Sequence, residues 1–112
     1  MENKKNTGGM KVKPEEGVLL VDKIQRHKTL CSELNAIYTK KNNDYGDAFS
    51  KTYKDLGIVS AITRISDKYN RLCSLALSDK PMLVENETIV DTLLDMANYC
   101  LMTIIELTGD DE

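Results

Sequence analysis

The chain has no tryptophan, one phenylalanine and two prolines. So little aromatic and turn-forming material disfavours a sandwich or barrel of short strands. No apolar run approaches the roughly 20 residues that a membrane-crossing helix needs, which excludes a transmembrane protein. The opening, MENKKNTGGMKVKPEEG, has no apolar stretch behind its charges and is not expected to act as a secretory signal. There is a single histidine, and the three cysteines, Cys31, Cys73 and Cys100, are far apart and without CxxC spacing. A disulfide framework is not expected and a zinc knuckle has no matching spacing, and the cysteines read as small buried hydrophobes in a reducing cytoplasm. A nucleophilic cysteine would have only His27 as its base. An excess of positive charge is lacking too: 15 Lys and Arg against 18 Asp and Glu give a formal net charge of −3. Nothing global then draws the chain to DNA or RNA. No phosphate loop, GxGxxG, HExxH or Ser-His-Asp arrangement is found.

What is present is helix. At 112 residues, one domain is the ceiling, and a hydrophobic fraction of 41% suits a globular chain. Residues 1–16 are almost devoid of apolar side chains and read as a disordered arm. A first long helix is expected from Val18 to Lys41, with Leu20, Ile24, His27, Cys31, Leu34 and Tyr38 on one face and His27 as a core or edge histidine. The stretch 42–47, NNDYGD, has turn chemistry, and Asp47 is placed to cap a short helix, Ala48 to Leu56, that Gly57 ends. A second long helix is expected from Ile58 to Leu77. It carries an apolar stripe and, beside it, the stripe Ala61, Arg64, Lys68, Arg71 and Leu75. Pro81 to Val84 reads as a linker. The third long helix, Asn86 to Leu107, is apolar nearly all round and is therefore expected to be central and buried. The domain is read as residues 17–108, followed by an acidic tail over 109–112. The fold is all-α: three long helices and a short one, a helical bundle completed by homo-oligomerisation because the third helix has surplus apolar surface.

Three groups of residues can carry chemistry. Glu87, Asp91, Asp95 and Asn98 follow steps of four, four and three on the third helix, so they share one stripe. Carboxylates in apolar surroundings need cations or a metal, and two of them one turn apart can hold Mg²⁺. The plainer alternative is a solvent-facing strip. Arg64, Lys68 and Arg71 are suited to phosphate, Arg as a planar fork and Lys as a point charge, or they simply neutralise Asp91 and Asp95. In the segment 41–47, Asp44 can reach a metal or a base edge, and Tyr45 can stack on a base.

Three motifs together resemble a known family. They are Asn43-Asp44-Tyr45-Gly46 with its flanks, Asp67-Lys68 with Arg71, and Asp91-Thr92-Leu93-Leu94-Asp95-Met96-Ala97-Asn98-Tyr99. The resemblance is to the nucleotide modification associated domain 1 family of phages and bacteria, over about residues 28–107. It implies a part in phage nucleotide metabolism or base modification, in the cytoplasm, which is the host's if the chain is phage-encoded. The helical plan is also similar to the MazG-type all-α nucleoside triphosphate pyrophosphohydrolases. That likeness implies cleavage between α- and β-phosphates with Mg²⁺ held by acidic clusters on two helices. Here Asp91 and Asp95 are spaced by four rather than three, and the second helix has Asp67 among cations in place of an ExxE pair.

Three functions are open at this level. The first, favoured by fold and acids, is a Mg²⁺-dependent nucleotide hydrolase. Asp91 and Asp95 would be its catalytic metal ligands, with Glu87, Asp67 or Asp44 completing the shell, while Arg64, Lys68, Arg71, Asp44, Tyr45 and Asn98 would hold the nucleotide. The second is a sponge that binds a nucleotide uncleaved, such as a cyclic nucleotide or a cyclic ADP-ribose isomer serving as a host immune signal. The third is a helical adaptor, which the polar stripes on two helices disfavour.

Overall fold

The computed structural model describes residues 14–79 and 86–109, and their side chains over 21–79 and 89–109. These residues form four helices: α1 (Pro14–Tyr45), α2 (Ala48–Leu56), α3 (Ile58–Leu77) and α4 (Asn86–Thr108). No strand occurs among the described residues, and no helix there is long and apolar enough to cross a membrane. The chain divides into two compact units, residues 1–35 and residues 36–112.

In the first unit the described chain is helix alone. It begins at Pro14, where a missing N–H costs nothing because the first turn has no internal acceptor to offer. The last three residues of the expected arm are thus helical, and the rest of the arm lies outside the described residues. His27 is not a core residue: it is exposed, as is Cys31 one turn later, whose Sγ lies 3.8 Å from His27 Nδ1. Val21 and Ile24 are also exposed.

The second unit holds the end of α1 together with α2, α3 and α4. The expectation that α1 stops at Lys41 is corrected: the helix runs on through Asn42, Asn43 and Asp44 to Tyr45. Only Gly46 and Asp47 form the turn. Both have positive φ, 65° and 60°, and both amides donate to the carbonyl of Asn42, at 3.0 and 3.4 Å. Glycine in the left-handed region ends the helix by returning the chain onto its last carbonyls. Asp47 does not cap α2 through its side chain, because its own left-handed backbone points the carboxylate elsewhere. Its carbonyl instead accepts the Lys51 amide at 3.3 Å. Gly57 separates α2 from α3 as expected, and its carbonyl accepts both the amide (3.0 Å) and the hydroxyl (2.8 Å) of Ser60.

α3 packs chiefly on α4, and α2 lies against both. Ala61 is fully buried in α3, while Thr92, Asn98 and Thr103 are buried in α4. The expectation of a buried α4 is therefore corrected. The buried residues of α4 are polar, but of the expected acidic stripe only Asn98 is buried: Asp95 is half-buried and Asp91 exposed, and Val90, Leu93, Leu101, Ile104 and Ile105 stand about half exposed. The cysteines are not buried either: Cys100 lies on this exposed side and Cys73 is half-buried. All three are free thiols. The linker expected at 81–84 and residues 110–112 of the tail lie outside the described residues.

Ala61 marks where the packing is tightest. Ala61→Leu is expected to destabilise the fold by about 1–3 kcal/mol, since added methylenes force neighbours off their rotamers. Thr63→Ala, two residues on at an exposed position, is expected to change stability by less than about 0.5 kcal/mol. Thermal unfolding followed by circular dichroism separates the two.

Candidate functional site

A cleft of about 310 Å³ opens in the second unit. The last two turns of α1 supply Ile37, Tyr38, Lys41, Asn42 and Tyr45. Ala48 and Phe49 come from the start of α2, Arg64 from α3, and Asp95, Asn98, Tyr99 and Met102 from α4. The continuation of α1 makes this possible. Tyr38, Lys41, Asn42 and Tyr45 stand at steps of three, one and three, which on a helix is a single face. A turn beginning at Asn42 would have scattered them.

One end of the cleft is charged. Lys41 Nζ lies 3.4 Å from Asp95 Oδ1, and Lys68 Nζ lies 3.2 Å from Asp95 Oδ2. Asp95 is partly withdrawn from water, its side chain 28% exposed, which is why two ammonium groups gather on it. Arg64 lines the same cleft, so Lys41, Lys68 and Arg64 stand with Asp95 at and beside it, three cations to one carboxylate. The rest of the lining mixes aromatic rings with Ile37, Ala48, Met102 and the amides of Asn42 and Asn98. The Phe49 ring lies stacked on that of Tyr99, centroids 5.9 Å apart, and on that of Tyr53, at 6.5 Å. Tyr45, largely exposed, and Tyr38 border the same space. Positive charge at one end and flat ring faces beside it match the two parts of a nucleotide, phosphate and base. Away from the cleft, a hydrogen bond with Cys73 one turn along α3 raises the Tyr69 hydroxyl above its usual range.

Of the residues singled out from the sequence, Tyr45, Arg64, Asp95 and Asn98 line the cleft, and Lys68 joins it through Asp95. Asp44, Arg71 and Asp91 are exposed and are not among its lining residues. The Glu87 side chain lies outside the described residues. Sequence reasoning missed Lys41, Tyr38, Phe49 and Tyr99 as site residues. The signal for Lys41 was its step of four to Tyr45, legible only once the segment is taken as helix.

The acidic stripe implied Mg²⁺. Among the described residues, no group of three or more His, Cys, Asp or Glu side chains comes together. Both oxygens of Asp95 face lysine ammonium groups, and Asp91 lies at the surface. A hard divalent cation with octahedral demands would have to displace both lysines to use Asp95. Asp91 and Asp95 are not brought together as a pair of ligands, and the side chain of the third expected ligand, Glu87, lies outside the described residues.

A family model described as nucleotide modification associated domain 1 matches residues 41–107, more than half of the chain and all of the cleft's lining residues except Ile37 and Tyr38. No curated protein and no solved structure matches the chain.

Proposed function

The chain belongs to the nucleotide modification associated domain 1 family, and from that premise we propose that the cleft binds a phosphate-bearing nucleotide and holds it uncleaved. The observation that carries this reading is the pairing of a cationic end with ring faces in one cleft. Arg64 and Lys41 hold the phosphate, Arg64 by its planar fork. Tyr45, Phe49 and Tyr99 offer faces to the base, and Asn98 is the amide beside it. Asp95 acts on the lysines, drawing Lys41 and Lys68 to the phosphate end. Capture rather than hydrolysis is favoured because Asp95 is already neutralised and Asp91 lies outside the cleft. Held this way, a nucleotide is withdrawn from the free pool, whether it is a base-modification intermediate or, for a phage-encoded chain, a cyclic host signal. The same reading has the bundle working as a homo-oligomer, because α4 leaves apolar side chains uncovered.

The test is incubation with nucleoside triphosphates, cyclic dinucleotides and cyclic ADP-ribose isomers, with and without Mg²⁺. Chromatography then follows of the solution and of the fraction released by heat. An unaltered nucleotide depleted from solution and returned by heat is expected. A new monophosphate or diphosphate that disappears with EDTA would replace capture with the hydrolysis implied by the MazG-type likeness. Asp95→Asn separates the readings further. It removes one negative charge from a phosphate site, so nucleotide affinity is expected to stay within about tenfold of wild type and to become more sensitive to salt. A hydrolase would instead lose its turnover in this variant.

A further inference from the structure

We infer that α4 carries a self-complementary seam through which two copies of the chain pair, α4 against α4. This deepens the homo-oligomer reading and rests on it, but is independent of which ligand the cleft takes.

The observation is an inversion of the usual arrangement. In α4 the buried side chains are polar, Thr92, Asn98 and Thr103, whereas Val90, Leu93, Leu101 and Ile104 are 50%, 45%, 47% and 53% exposed. The exposed apolar residues are not scattered. Val90, Ala97 and Ile104 repeat every seven residues, and so do Leu93, Cys100 and Leu107. Steps of three and four sustained over nearly three heptads are the pattern of two helices packed side by side, knobs into holes. Ala97 and Cys100, the two smallest, fall at the middle of the seam, where they allow the closest approach of two backbones.

The occupant follows from charge and area. The seam and its flanks, half-buried Leu94 and exposed Leu101, include no Asp, Glu, Lys or Arg. Flanking charges are what select a different partner or repel an identical one, and here nothing repels a second copy. Residues 1–13 offer only Met1, Met10 and Val12 as apolar side chains, too few to cover three turns. Half-exposed Leu, Ile and Val side chains along α4 sum to an area on the order of 500 Å², at the upper end of what a monomer leaves open. With Ala97 and Cys100 between them, the area stays below the roughly 800 Å² that each partner contributes to a standard interface and falls in the range of a smaller, concentration-dependent one.

The test is the solution mass of the chain, by sedimentation and light scattering across a range of concentrations, with helicity followed by circular dichroism. Wild type is expected at twice the chain mass. Leu93→Glu with Ile104→Glu is expected to give the single-chain mass. Should that pair fail to fold, Ile104→Ala removes only hydrocarbon and is expected to raise the dimer dissociation constant by about tenfold or more, since two truncations meet in each dimer. Val21→Glu with Ile24→Glu, which charges the exposed face of α1, is expected to leave the mass doubled. A wild-type chain that is helical at single-chain mass overturns both the seam and the homo-oligomer reading. A doubled mass that survives the α4 substitutions unchanged overturns the seam and spares that reading. Loss of the doubled mass in the α1 variant overturns α4–α4 pairing in favour of α1 as the cover.

Discussion

Arg64→Ala is expected to weaken nucleotide binding by about 10- to 100-fold while leaving the helical content unchanged, because a hydrogen bond to a charged group contributes about 1.5–3 kcal/mol. Arg64 is exposed on α3 and lines the cleft, so its removal disturbs no packed neighbour. Arg64→Lys keeps the charge but loses the fork and is expected to restore only part of the affinity. Isothermal titration with a nucleotide recovered by heat release measures both. If Arg64→Ala binds within twofold of wild type, the phosphate does not lie at this end of the cleft. Arg71→Ala is the matched control: it removes an equal charge from the same helix at a position outside the cleft.

The second large effect concerns the fold. Gly57 has φ 75° and ψ −162°, a backbone region essentially closed to residues with a Cβ. Gly57→Ala is expected to destabilise the protein by about 1–3 kcal/mol. The cost is purely conformational, for an added Cβ would meet nothing within 4 Å. Gly46 offers the contrast. It too has positive φ, 65°, and open space around it, but the left-handed helical region to which that φ belongs tolerates asparagine. Gly46→Asn is expected to cost less than Gly57→Asn, and chemical denaturation of the two variants tests that order. Equal losses would mean that side-chain volume, and not backbone geometry, governs both turns.

The same glycine explains why part of the fold could be read in advance. α2 and α3 occupy the spans expected for them, because Gly57 sits between two clear periodic patterns and breaks both. The end of α1 was not legible. Asn and Asp are poor helix formers, but each costs only about 0.7 kcal/mol or less relative to alanine. Three such residues do not outweigh a helical turn that brings Tyr38, Lys41 and Tyr45 to one cleft. Taking Asn42 as the start of a turn therefore hid Lys41, which contacts Asp95. Asp95 and Asn98 could be singled out because they stand out on a helix apolar nearly all round, and Arg64 because it belongs to a run of cations beside an apolar stripe. Phe49 and Tyr99 could not, since an aromatic at helical spacing looks the same whether it packs in a core or faces a ligand. For α4, periodicity revealed both stripes but not which of them turns inward. The usual preference for apolar burial pointed the wrong way: among the described residues Asp95 has two lysine partners and Thr92, Asn98 and Thr103 are buried, whereas the apolar side chains of α4 stand about half exposed.

That inversion also shapes how the protein responds to temperature. The heat capacity released on unfolding comes mostly from hydrocarbon newly exposed to water. In a single chain whose buried positions include Ala61, Thr92, Asn98 and Thr103, melting uncovers little that was not already wet. In the proposed α4–α4 pair, the curvature of the stability curve would originate largely in separating the copies rather than in unravelling the helices. Heating and dilution would then be two routes to the same event, and the thermal limit of such a pair would depend on how much of the protein is present.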